Sequence, residues 1–171
     1  MRAIPRILAV ATAAVTSFAA PLGAQTDDEI LARYRLTEAG LVKFTQASRN
    51  FIAVAKADSA ALEQQSEDSD GMTLAQMAAL YDGHPGLKRA ITSAGMTTRE
   101  YVTFIMSMFQ AGMGAWMVEQ QGGKFDKVPA GFPHENIRFY QQHRAALEAI
   151  GEELKAIEGK PADEEGSPGG R

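Results

Sequence analysis

The sequence predicts an all-helical domain that follows a secretory signal peptide. Apolar residues recur three and four positions apart in several segments, two capping-box patterns mark helix starts, and no segment alternates apolar and polar residues as a half-buried strand does. The chain has 171 residues, of which 45% are hydrophobic and 22% charged. These values are typical of one ordinary globular domain. We therefore expect a single bundle of about five helices between Thr37 and Glu158, within a domain spanning residues 25–159.

The N-terminus has the organisation of a signal peptide. Arg2 and Arg6 precede an uncharged apolar run, Ile7–Ala20. The small residue Ala24 predicts cleavage before Gln25, and cleavage after residue 20 is the alternative. Fourteen residues are short for a bilayer span, so an uncleaved membrane anchor is the less favoured hypothesis. Residues 1–24 are thus expected to direct the protein to the periplasm or the medium.

Composition excludes several function classes. The chain contains no cysteine, which rules out disulfides, thiolate metal sites, a cysteine nucleophile and a lipid anchor on cysteine. Loss of the two signal-peptide arginines leaves 15 basic against 21 acidic residues, a formal charge of −6. An acidic chain is unsuited to nucleic acid and to anionic membranes, which attract basic patches. The remaining partner classes are a protein or a small ligand.

The first half of the domain contains two predicted helical stretches, of which the second is amphipathic. A short acidic segment, Asp27–Leu36, predicts one or two helical turns. Thr37 is a suitable N-cap for a longer helix, whose apolar face comprises Leu41, Phe44, Ala47, Phe51 and Val54. We expect residues 60–65 to extend that helix and residues 66–71 to form a loop.

Two short helices are predicted next. The capping box of Thr73 and Gln76 begins a helix that ends near Gly83. Pro85 suits the first position of the following helix, and Gly95 is a natural C-terminal cap.

The longest predicted helix begins with the capping box of Thr97 and Glu100 and is uncharged over Tyr101–Val118. Eighteen helical residues span about 27 Å, so a membrane span is one hypothesis. Internal polar residues and the capping box favour a central helix of a soluble bundle instead. The small residues of Ala111–Ala115 predict a smooth surface that the backbone of another helix approaches closely. The predicted core residues are Phe51, Phe104, Ile105, Phe109, Leu147 and Ile150.

The last predicted helix has a heptad-like apolar stripe that includes His143 and ends at Gly159. Residues 160–171 are rich in Pro, Gly and acidic residues and are predicted to be disordered. An inward-facing His143 opposite Met113 or Met117 would suit b-type haem. The methionines of the long helix would also suit Cu(I); they are Met106, Met108, Met113 and Met117.

Structural roles are favoured for these side chains. No second histidine lies at metal-binding spacing from His143, and methionine commonly fills irregular cores. We therefore predict no cofactor and no firm metal site. No nucleophile motif is present, so an enzyme is the less favoured class. One enzyme hypothesis stays open: a site assembled from two loops, Asp82–His84 and Asp126–Glu135.

Part of the chain resembles small exported helical proteins of Gram-negative bacteria that have no established function. The resemblance lies in His84–Leu87, in Ala94–Val102, in Gln110, Ala111 and Met113, and in Asn136–His143. It implies an exported helical domain and no functional residue.

A looser similarity is to periplasmic helical stress chaperones, which carry Leu-Thr-x-x-Gln repeats. Met72–Gln76 departs from that pattern at its first residue and Leu36–Gly40 at its last. The leading expectation is a binding or interaction module, with the haem- or copper-binding bundle and the chaperone-like protein as alternatives.

Overall fold

The computed structural model describes residues 25–57 and 71–158, which contain six helices and no strand. The helices are α1 (Asp27–Arg33), α2 (Glu38–Ala57), α3 (Leu74–Gly83), α4 (Pro85–Thr92), α5 (Thr98–Gln120) and α6 (His134–Glu158). The all-helical prediction is confirmed, and α1 precedes the five helices expected from Thr37 onward. The predicted signal peptide, the stretch 58–70 and the C-terminal tail lie outside the described residues.

Two helices, α3 and α5, begin at the capping boxes from which the sequence predicted them. The backbone amide of Thr97 donates to Glu100 Oε2 at 2.7 Å, and that of Glu100 donates to Thr97 Oγ1 at 3.1 Å. The pKa of the Glu100 carboxyl lies below its usual value, chiefly because the Thr97 backbone amide donates to it and secondly because of a hydrogen bond from the Thr97 side chain. The box of Thr73 and Gln76 is likewise complete. Both capping predictions are therefore confirmed.

The core forms around the first half of α5. Phe44 of α2 stacks on Phe104 at 4.7 Å and on Tyr101 at 5.5 Å between ring centroids. The Tyr101 hydroxyl lies 3.1 Å from Ser48 Oγ, and burial raises the pKa of this phenol. Helices α2, α3, α4 and α6 pack around α5 at this level. The central-helix hypothesis thus describes this half of α5.

Most of the predicted core residues are inside the bundle. Phe51, Phe104, Leu147 and Ile150 are buried, and Ile105 is partly buried against the same cluster. The prediction for Phe109 is wrong, because its side chain is exposed.

At the small residues of α5, the atoms nearest to Gly112 and Gly114 belong to side chains, mostly of α6, rather than to the helix backbone that the sequence predicted there. A Cβ added to Gly114 would lie 2.6 Å from Ile137 Cδ1, and one added to Gly112 would lie 3.2 Å from the Tyr140 ring. The glycines therefore let α6 side chains rest directly on the α5 backbone.

A buried amide anchors the segment between α1 and α2 to α6. Asn136 Nδ2 donates to the Tyr34 carbonyl oxygen at 3.0 Å, and its Oδ1 accepts from the Leu36 amide at 3.0 Å. Arg35 and Glu135 form an exposed ion pair beside it at 3.8 Å. Asn136 is thus satisfied by the backbone that it holds in place.

Candidate interaction surface

The second half of α5 presents three large apolar side chains to solvent. Phe109 and Trp116 are each 60% exposed and Met113 is 38% exposed. They are four and three positions apart, so they lie on one side of the helix. We call this set, Phe109, Met113 and Trp116, the α5 apolar face.

The same side of α5 is covered in its first half. Val102 lies two turns before Phe109, and it is buried against Leu74 and Ala78 of α3. Met106 is partly buried in the same cluster, together with Ile30 and Leu31 of α1. The apolar face therefore continues a surface that α1 and α3 cover. Within residues 25–57 and 71–158, the side chains of Phe109, Met113 and Trp116 stay largely accessible to water.

The composition of the face suits recognition. A buried aromatic side chain covers about 150–250 Å², so two rings at 60% exposure present roughly 200–300 Å². Aromatic and methionine side chains are enriched in protein interfaces, where they provide contact area. The largest apolar patch on a typical monomer covers about 300–600 Å² and is often functional, so the two rings reach the lower end of that range.

Helix α5 is also as long and as apolar as a membrane-spanning helix. By length and composition alone it is long and apolar enough to cross a bilayer, and it is the one such helix in the described part of the chain. Half of its most apolar stretch is buried inside the protein. A helix that binds a partner on the surface of a soluble bundle has the same character: it packs against the bundle on one side and exposes apolar residues on the other.

His143, the first candidate ligand, contacts a carboxylate. Its Nε2 lies 2.8 Å from Glu38 Oε1, and its ring is 4.3 Å from that of Phe139. The side chain is 23% exposed, so His143 sits at the edge of the α2–α6 contact. The partner of this histidine is therefore an acidic side chain at the start of α2.

The other proposed ligands are on a different helix. Met113 belongs to the α5 apolar face, and Met117 is partly buried beside it. Met106 and Met108 pack against core clusters. In the described ranges, no three His, Asp or Glu side chains are grouped so that they could hold a metal ion. Haem or copper binding by His143, Met113 and Met117 stays a prediction.

The two loops of the enzyme hypothesis lie near opposite ends of α5. Asp82 pairs with Lys88 at 3.1 Å, and this hydrogen bond is the main cause of its lowered pKa, with a further one from Thr98 at the start of α5. The ring of His134 is instead 5.1 Å from Phe125, which packs beside Ala115 in the second half of α5. Seventeen helical residues separate Thr98 from Ala115, or about 25 Å. The structure therefore does not bring these loops into one site.

Sequence reasoning assigned Phe109 to the core and so missed this surface. Apolar residues occur all around α5, and periodicity cannot tell which side other helices cover. Comparisons with models of known protein families, with curated proteins and with solved structures found no significant match to this chain.

Proposed function

We propose that this protein is an exported, non-enzymatic binding module that holds an apolar segment of a partner on its α5 apolar face. The exposure of Phe109 and Trp116 on one side of a well-packed helix carries this proposal. Covering these rings with a partner is favourable because it removes apolar surface from water. The face has no charged side chain, so it favours apolar contacts over ionic ones.

The rest of the described surface supports a binding role over catalysis. Three ionisable groups serve local structure: Glu100 caps α5, Asp82 pairs with Lys88, and His143 contacts Glu38. The resemblance to small exported helical proteins agrees with export and adds no activity.

Site-specific photo-crosslinking tests the binding role. A benzophenone amino acid at position 113 of the exported protein should give a discrete adduct in its native compartment. The same probe at position 42 is the matched control, because Val42 is also apolar and 69% exposed but lies on α2. Trp116→Ser should weaken the adduct at position 113. Equal labelling at both positions, or no adduct at position 113, would refute the proposed function.

Export predicts a defined N-terminus. The basic start, the apolar run and Ala24 lead us to expect mature protein that begins with Gln25, with or without cyclisation of that glutamine. Mass spectrometry of protein from a Gram-negative host would measure this. A mature pool that still carries Met1 would contradict both cleavage and the proposed release into the periplasm or medium.

A further inference from the structure

We propose that the outer side of α2 and α4 is a second interaction surface, which binds an acidic segment of a protein partner through Arg49, Lys56 and Arg89. We call these three residues the α2–α4 basic surface. The inference goes beyond the proposed function, because it concerns another side of the bundle and recognition by charge instead of apolar contact.

Basic and acidic residues are unevenly distributed along this acidic chain. Two segments, residues 39–57 in α2 and residues 83–99 around α4, together contain six lysine and arginine residues and no aspartate or glutamate. Of the 15 basic residues expected after signal removal, nine are left for the rest of the chain, which holds all 21 acidic residues. Helices α2 and α4 therefore carry positive charge in a protein whose remaining sequence is strongly acidic.

These two segments pack side by side. Asn50 Nδ2 donates a hydrogen bond to the Ala90 carbonyl oxygen at 3.1 Å. A Cβ added to Gly86 would lie 3.2 Å from Val54 Cγ1. The later residue of α2 meets the earlier residue of α4, so the two helices are antiparallel neighbours and their charges share one region of the surface.

Arg89 of α4 is exposed on the outer side of the bundle and toward α2. The buried residues Leu87 and Ile91 are each two positions away, about 160° around the helix. Ser93, which follows by one turn on the same side of α4, accepts a hydrogen bond from Asn50 Nδ2 of α2 at 3.1 Å. The Arg89 side chain thus lies opposite the core and beside the α2–α4 contact.

Arg49 and Lys56 belong to an exposed stripe of α2. Its residues are three and four positions apart: Val42, Gln46, Arg49, Ala53 and Lys56. Arg49 and Lys56 are separated by about 11 Å along the helix. Arg49 and Arg89 directly precede the hydrogen-bonded residues Asn50 and Ala90, so they lie at the same level of neighbouring helices.

The three charges are available to a partner. Within residues 25–57 and 71–158, none of these side chains forms an ion pair. Lys88, beside Arg89, pairs instead with Asp82 of α3. Guanidinium groups bind carboxylates through two parallel hydrogen bonds, which gives both strength and geometric selectivity. Arg49 and Arg89 therefore suit carboxylate side chains.

A short acidic segment fits this surface better than an extended polyanion does. Nucleic acids and anionic bilayers carry charge over far more than this small area, so they would also approach the acidic remainder of the protein and be repelled by it. About four residues of an extended segment reach from Arg49 to Lys56. Such a segment can contact the basic surface alone.

Fluorescence anisotropy of a labelled peptide tests the inference on the exported protein. The probe is a twelve-residue peptide with glutamate at every third position, which places its carboxylates about 10 Å apart when extended. We expect saturable binding that weakens as salt is raised, because exposed charges are screened. Replacing the glutamates with glutamine should abolish it, and Arg49→Gln/Arg89→Gln should weaken it about tenfold.

Lys124→Gln/Lys127→Gln is the matched control, because it removes two exposed charges from the α5–α6 loop and changes the net charge equally. Equal weakening by both double variants, or equal binding of the glutamine peptide, would overturn the proposal. Tighter binding of duplex DNA or phosphatidylglycerol vesicles than of the acidic peptide would contradict it too. The glutamine peptide needs no variant protein, so the test does not depend on how the variants fold.

Failure of this inference is distinguishable from failure of the proposed function. Peptide binding to the basic surface does not involve the α5 apolar face, because Phe44 places the side of α2 opposite this stripe against α5. Val42, the control position for crosslinking, lies seven residues before Arg49, or about 11 Å from it. An adduct at position 113 without peptide binding would refute only the basic surface.

Discussion

Replacing Phe104 with alanine is expected to lower the free energy of unfolding by about 3–5 kcal/mol. The ring is fully buried, stacks on Phe44 at 4.7 Å, and would lie 3.1 Å from a Cβ placed on Gly40. Helices α2 and α5 both hold this position, so the cavity cannot collapse without moving one of them. Urea unfolding followed by circular dichroism measures the change.

Phe109→Ala is the matched control, since it removes the same side chain from the same helix five residues later. Because Phe109 is 60% exposed, we expect this substitution to lower the free energy of unfolding by less than about 1 kcal/mol in the processed protein. Similar costs for the two variants would contradict the assignment of Phe109 to an open face.

Asn136→Ala is expected to destabilise the fold by about 2–4 kcal/mol, although it removes few apolar contacts. The substitution leaves the Leu36 amide and the Tyr34 carbonyl without the partners that they have in this structure. Both groups belong to the segment that joins α1 to α2, so we expect this segment to exchange its amide hydrogens faster. Hydrogen exchange and urea unfolding together would detect the effect.

Gln46→Ala provides the comparison for a lost amide side chain. Gln46 Nε2 donates to Asn50 Oδ1 at 2.9 Å, but the bond is exposed and water can replace it. A change of no more than about 0.5 kcal/mol is expected there. If Asn136→Ala cost equally little, the buried amide would not be what holds residues 34–36 against α6.

Local signals in the sequence determined the helices themselves. Thr73 with Gln76 and Thr97 with Glu100 mark helix starts because a capping box involves residues only three positions apart. Contacts distant in sequence were decided by the tertiary structure: His143 meets Glu38, and Asn136 binds the backbone around Leu36. The open face belongs to this second class. Apolar residues occur on every side of α5, and within the described ranges α3 begins near Met106, so that Phe109 and Trp116 beyond it stay exposed.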